Sequence, residues 1–257
     1  MTLTATIDGI GFWAPGLPTW DAARAFAHDG SRPDAAPARP APQLLPPNER
    51  RRAPDTVAVA LDVALAACAM AGRDAATLPS VFASMHGDLA ITDYMCATLA
   101  SDPAAISPTR FHNSVHNAAA GYWTIGAGAM APATAISAFD ATFAQGLLEA
   151  AVQLAAGAEA VLLVAYDSTS TGPLGQVSPS AGLLGGALVL SHTGVGPRLR
   201  LELRDGEPDA AGALGVHAAA NAMAPMLPLF DALAAGHAGC RLRAGPGRIL
   251  HVDIAHD

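Results

Sequence analysis

Ile106-Ser107-Pro108-Thr109-Arg110-Phe111-His112-Asn113-Ser114-Val115-His116-Asn117-Ala118-Ala119-Ala120-Gly121 is followed, across a break at Pro132, by Ala135-Ile136-Ser137-Ala138-Phe139-Asp140-Ala141-Thr142-Phe143-Ala144-Gln145-Gly146-Leu147-Leu148-Glu149-Ala150. The Ala- and Gly-rich pattern predicts a helix over 113–128. Proline lacks a backbone donor, so Pro132 marks the turn that follows. Ala133 to Ala138 predicts a short strand, and Thr142 to Ala156 a helix with small residues facing inward. Ala160 to Ala165 is apolar throughout, as a strand covered on both faces must be. Strand, helix and strand in succession predict a layered α/β fold.

The same reading extends outward. Strands are expected at residues 3–12, 81–84, 185–191, 198–204 and 248–254. Helices are expected at 21–28, 54–71, 88–100 and 228–235. Prolines at 33, 37, 40, 42, 46 and 47 make residues 32–47 an extended loop, because each fixes φ. Leu199, Leu201 and Leu203 alternate with Arg200, Glu202 and Arg204, so one face of that strand is wet. Residues 205–225 read as a linker with a helix inside 212–223, and His86-Gly87 as a turn.

Composition narrows the chemistry. All 14 basic residues are Arg, which removes Schiff-base and phosphate-loop lysines. The net charge of −8 argues against nucleic acid. Only 5% of residues are aromatic against 51% hydrophobic, so small aliphatic side chains build the core. With 14% charged residues, there is little polar surface to spare, as in a chain with a large partner interface. Cys68 and Cys96 lie in apolar helical pattern and read as buried small hydrophobes, and Cys240 completes an odd count. Met1 to Thr6 lacks a signal-peptide pattern, and no uncharged apolar stretch spans a bilayer. A soluble, cytoplasmic chain without a membrane span is expected.

Several residues invite chemical readings. His112 and His116 share a face if they lie on one helix, but no third ligand accompanies them, so no metal is expected. There is no Gly-x-Ser-x-Gly elbow, and Gly185-Gly186 has no dinucleotide fingerprint. Asp167 closes an apolar strand at the end where α/β sites gather; it reads first as a turn residue. Asp140 precedes a helix, where its charge suits an N-cap.

The block from Ile106 to Gly157 resembles the core of the β-ketoacyl-carrier-protein synthases. In that family an Ile-Ser-Pro opening leads to an Asn-x-x-x-Gly helix, a Gly-Pro turn and a strand. Thr-Ala-Cys then starts the next helix. Ile106-Ser107-Pro108, Asn117, Gly121, Pro132 and Gly157 match that order without a gap. Ala138-Phe139-Asp140 stands in place of Thr-Ala-Cys, so Asp140 occupies the nucleophile position. Residues 83–88, 182–191 and 197–206 fit more loosely. His217, His237, His251 and His256 match neither catalytic histidine motif of the family. The short chain-length-factor members of the aryl-polyene type share a comparable Ser-Val-His-Asn-Ala segment and Phe-Ala-x-Gly-Leu helix.

The resemblance implies a thiolase-like α-β-α fold. Residues 1–205 would form the ketosynthase N-terminal-half-like domain, and 206–257 a short C-terminal extension packed on it. It implies no cofactor and no catalytic residue in this chain, because a carboxylate is a poor substitute for the thiolate. It implies a heterodimer with a full-length ketosynthase that extends carrier-bound polyene, polyketide or fatty-acid-like chains. Acyl carrier protein would be met through that complex, with Glu49-Arg50-Arg51-Arg52 either a solvated segment or a docking spot for that acidic partner. Met85, Tyr94, Met95, Leu99, Phe139 and Phe143 would set tunnel length. Ala133, Thr134, Ala135, Ile136, Ser137, Ala138, Asn117 and Gly121 would form the dimer interface. Two alternatives stand beside this one. One is a stand-alone thiolase-like decarboxylase or hydrolase using Asp140 with His112 or His116; the other is a homodimeric binding or scaffold protein.

Overall fold

The computed structural model describes residues 2–256. Eight strands form one mixed sheet: β1 (Thr2–Trp13), β2 (Ser80–Ala83), β3 (Ala133–Ile136), β4 (Ala160–Asp167), β5 (Leu184–Ser191), β6 (Arg198–Asp205), β7 (Gly239–Gly245) and β8 (Arg248–Ala255). Their order across the sheet is β3-β2-β4-β5-β1-β6-β8-β7. β2 runs parallel to both β3 and β4, and every other pairing is antiparallel. β3 and β7 are therefore the two edges.

The strand sequences explain their places. All eight residues of β4 are buried. Val161, Leu163 and Ala165 enter one apolar cluster, while Leu162, Val164 and Tyr166 enter the other, as the two-residue period of a strand requires. The first cluster is covered by α1 (Trp20–Asp29), α7 (Thr142–Ala155) and α10 (Leu227–Ala235). The second is covered by α3 (Asp55–Ala71) and α6 (Ala118–Ala127). The result is a three-layer α-β-α sandwich. Gly9 and Gly11 of β1 let α3 lie close on the sheet: a Cβ at either position would run into the carbonyl oxygen of Ala67 or Val63.

The remaining α-helices are α2 (Pro47–Arg52), α4 (Leu89–Ser101), α5 (Pro108–Asn113), α8 (Gly172–Val177) and α9 (Ala213–His217). Four expectations need correction. The helix over 113–128 is two helices, α5 and α6, with a break at 114–117. His116 sits in that break and its Nε2 lies 2.8 Å from the Ser84 carbonyl oxygen, so it shares no helix face with His112. Cys96 is exposed on α4 rather than buried, whereas Cys68 and Cys240 are buried. β7 was not expected, because Cys240, Leu242 and Ala244 alternate over too short a run among arginines and glycines. The residues beyond 205 supply β7 and β8, and β8 pairs with β6 to extend the same sheet.

Candidate functional site

Because β3, β2 and β4 run parallel, their carboxyl ends meet at one end of the sheet, the usual place for an α/β site. Three segments meet there: Ser137 to Ala141 after β3, Ser84 to Asp88 after β2, and Asp167, the last residue of β4, with Ser168 and Thr169 after it. Hydrogen bonds join them. Ser137 Oγ donates to the Met85 carbonyl at 3.0 Å. The Asp167 carboxylate accepts from Ser84 Oγ at 2.8 Å, Met85 N at 2.9 Å and His86 N at 3.2 Å. Ser84 Oγ in turn accepts from Gly87 N at 2.8 Å. Asp88 caps α4 through Ile91 N and accepts from Thr56 Oγ1.

Asp167 is therefore no surface turn residue. It is fully buried and clamps the β2–α4 loop. Burial pushes its carboxyl up to about 7, against three donors that favour the charged form. The sequence carried one hint, its place at the end of an apolar strand. Its partners lie at Ser84 to His86, and only the sheet brings them near.

The turn that heads α7 is the site's other feature. Phe139 has φ of 51°, and among the described residues it is the one non-glycine with a positive value. The residue is 74% exposed. Asp140 does not cap the helix: Ala141 holds the N-cap position and no side chain caps there. The Asp140 carboxylate instead meets Arg243 of β7, Oδ2 to Nε, at 3.4 Å. Thr142, buried, accepts from Ala138 N at 2.9 Å and donates to the Phe139 carbonyl at 2.5 Å.

The other residues singled out by sequence are spread around this end. Met85 is half-buried in the β2–α4 loop. On α4, Met95 is buried, Tyr94 lies under the Arg110 guanidinium and Leu99 is exposed. Phe143 is buried in the core against Phe230. Ala133, Ala135, Ser137 and Asn117 are exposed, and Thr134, Ile136, Ala138 and Gly121 half-buried. A cleft of about 1020 Å³ opens beside the site, lined in part by Asp88, Arg110, Asn113, Ser168 and Thr169.

A model of the β-ketoacyl synthase N-terminal domain matches residues 19–246. The chain belongs to the β-ketoacyl synthase family. No curated protein matches it significantly. Among solved structures, it resembles a chain of the ketosynthase ApeO in complex with its chain length factor ApeC from Xenorhabdus doucetiae. That match has 23% identity, 98% of this chain, 99% of that one and a TM-score of 0.77. A chain of the ishigamide ketosynthase/chain length factor matches at 15% identity, 98% and 99% coverage, and a TM-score of 0.73. A chain of AntDE:AntF, a type II polyketide synthase acyl-carrier protein in complex with its ketosynthase bound to the hexaketide, matches at 12% identity, full coverage of both chains and a TM-score of 0.74. These likenesses show the ketosynthase fold over the whole chain.

Within that fold, what can this β-ketoacyl synthase relative do chemically? Cys68 and Cys240 are buried, with thiols pushed up to about 12 by burial, so neither supplies a thiolate. Among the described residues no cluster of three or more His, Cys, Asp or Glu could hold a metal. Among the described residues no helix is long and apolar enough to cross a membrane. The nearest thing to a nucleophile–base pair is Ser178 Oγ, 2.8 Å from His86 Nε2. His86 Nδ1, however, is buried without a partner. The direction of the bond between His86 Nε2 and Ser178 Oγ follows the imidazole tautomer. No third group orients the ring through Nδ1, and the contact tethers the end of α8 to the β2–α4 loop.

Asp167 gives a pH signature. Its carboxyl titrates near 7 in the fold and at an ordinary value of 3.8 otherwise. The folded chain therefore holds this proton more tightly, and the associated stability is complete below 3.8 and lost as pH rises through about 7. Asp167→Asn should remove that slope. It should also cost about 1–3 kcal/mol near pH 5, where an amide nitrogen would face backbone donors. Urea unfolding of both forms at about pH 5 and about pH 8 checks this: the deficit of the variant should shrink at the higher pH.

Proposed function

We propose that this chain is the non-catalytic, chain-length-factor-like subunit of a β-ketoacyl synthase heterodimer. It would shape the acyl tunnel while a full-length ketosynthase condenses carrier-bound chains. The observation that carries this reading is the turn at the head of α7. Condensation needs a thiolate at that helix start. Here Phe139-Asp140 stands at that turn, and the carboxylate is engaged by Arg243. A carboxylate is a weak nucleophile, and the anhydride it would form with an acyl chain is unstable in water. The partner is suggested by the similar solved structures, whose descriptions pair a ketosynthase with a chain length factor or an acyl-carrier protein.

The reading places the interface on β3. Ala133, Thr134, Ala135 and Ile136 form an edge strand of which one side pairs with β2. Exposed Met130 and Ile125 lie close by on the chain. Met85 and Phe139 meet at the same end, so they are the tunnel residues this geometry favours; Tyr94, Met95, Leu99 and Phe143 would act through α4 and the core.

Co-expression with a full-length ketosynthase from the same organism is the test. A stable heterodimer should form, and its condensation activity should survive Asp140→Ala within about threefold, the size expected when an exposed ion pair is lost. Asp140→Cys in the isolated chain should give no measurable turnover, since the family's two histidine motifs have no match here. Condensation by the isolated chain, abolished by Asp140→Ala, would overturn the proposal.

A further inference from the structure

We infer that Asp167 is a positioning residue for Met85, and that through Met85 it sets the length of the chain the complex makes. The inference rests on the heterodimer reading above and deepens it. It starts from the donors around the carboxylate. Oδ1 accepts from Ser84 Oγ and His86 N, and Oδ2 accepts from Met85 N. These donors come from three consecutive residues of the β2–α4 loop. An ionised carboxylate accepts on both oxygens and donates on neither, so it suits such a set. Asp167 is fully buried, and among the described residues no arginine or histidine pairs with it. A buried charge needs hydrogen bonds to offset the loss of water. Here the side-chain oxygens find all of theirs on one loop.

The same loop is tied from other sides. Ser84 N donates to the Ile136 carbonyl at 3.2 Å. His116 Nε2 lies 2.8 Å from the Ser84 carbonyl oxygen. Gly87, at φ of 64°, returns its N–H to Ser84 Oγ at 2.8 Å. Ser137 Oγ donates to the Met85 carbonyl at 3.0 Å. Met85 is thus held at both of its backbone groups, the N–H by the end of β4 and the C=O by the segment after β3. Its side chain is half-buried. Methionine is unbranched and flexible, so its position is defined only as well as the backbone that carries it.

Two of these ties, from Ile136 and Ser137, come from the end of β3, the strand on which the partner would dock. A side chain rooted there stands beside the seam between the subunits. In the heterodimer reading a growing hydrocarbon ends near that seam, and an uncharged thioether side chain suits contact with it. Asp167 lies behind the loop and reaches no surface. It therefore acts through Met85 and not on the acyl chain.

The test uses the complex co-expressed with the ketosynthase, at about pH 8, above the value of about 7 at which the Asp167 carboxyl titrates. Mass spectrometry reads the product lengths, and sedimentation confirms assembly. Met85→Ala should lengthen the products. Asp167→Asn turns one acceptor into a donor that faces the loop. It should raise the share of products longer than the main species by about fivefold, the weight of one hydrogen bond. In the Met85→Ala background the same change should add nothing to product length. Ser137→Ala, at an exposed site, removes the other tie and should move the profile the same way by about twofold. A merely structural Asp167 would lower the melting temperature of the subunit and leave product lengths as they were. An unchanged length profile for Asp167→Asn, in a complex that assembles normally, would overturn the inference and leave the subunit reading standing. Should Asp167→Asn fail to fold, unchanged profiles for Met85→Ala and Ser137→Ala would overturn it in the same way. A homodimer that ignores the ketosynthase would overturn both.

Discussion

In the proposed heterodimer, Ala135→Asp should weaken the complex by about a hundredfold to several thousandfold. Ala135 is exposed on β3, the edge strand whose free side has no partner among the described residues. An edge of this kind presents a row of open N–H and C=O groups, and folded proteins leave one bare only when something covers it. The opposite edge shows what protection looks like. β7 carries Arg241 and Arg243 and a register shift before Gly245, all of which discourage another strand. β3 reads Ala-Thr-Ala-Ile and has neither charge nor bulge. A carboxylate forced into that seam loses its water without gaining a partner, at about 3–5 kcal/mol, and each 1.4 kcal/mol is about tenfold in affinity. The fold itself should tolerate the change within about 0.5 kcal/mol, as an exposed site does. Sedimentation of the co-expressed pair reads the first effect, and urea unfolding of the subunit reads the second. A complex as tight as the unaltered one would remove β3 from the interface.

Gly11→Val should cripple the fold, at a cost of at least about 3 kcal/mol. The Cβ of any residue at 11 would enter the space of the Val63 carbonyl oxygen and its own carbon. These are backbone atoms in the middle of α3, so no rotamer change clears them. Either α3 lifts from β1, β4 and β5, or β1 bends, and both open the cluster that contains Val57, Leu61, Trp123 and Val189. For a domain of this size the loss should lower the melting temperature by about 6–12 °C. Gly121→Ala is the control: nothing lies within 4 Å of that position, and helix α6 should accept alanine at no cost or with a small gain in stability.

Much of the architecture was legible because it follows from short periods. β4 is apolar at every position and is buried at every position. β6 alternates and buries Leu199 and Leu201 while leaving its arginines out. The prolines of 32–47 kept that stretch free of helix and strand up to Pro47, where α2 begins, although it bends and turns rather than running extended. Failures came where a local pattern allowed two outcomes. Ala and Gly between 113 and 128 permit a continuous helix, but Asn113 is buried and His116 reaches the Ser84 carbonyl, so the chain breaks there. Cys96 sits in an apolar helix, yet α4 packs chiefly on α5 and α8 and leaves that side open.

Asp140 divides the two kinds of information. The sequence alone determined that no cysteine stands at the head of α7, because that is a matter of residue identity and spacing. It also determined that small residues line the sheet and that the β3 segment lacks charge. Only the tertiary structure decided where the Asp140 carboxylate goes. A helix start offers a cap, and the local pattern favoured one; the folded chain instead brings Arg243 from its last hairpin within 3.4 Å and turns the carboxylate aside. The same holds for the strain at Phe139 and the burial of Asp167. Both depend on groups that meet only after the sheet has formed, and local periodicity cannot encode a partner supplied from the other end of the chain.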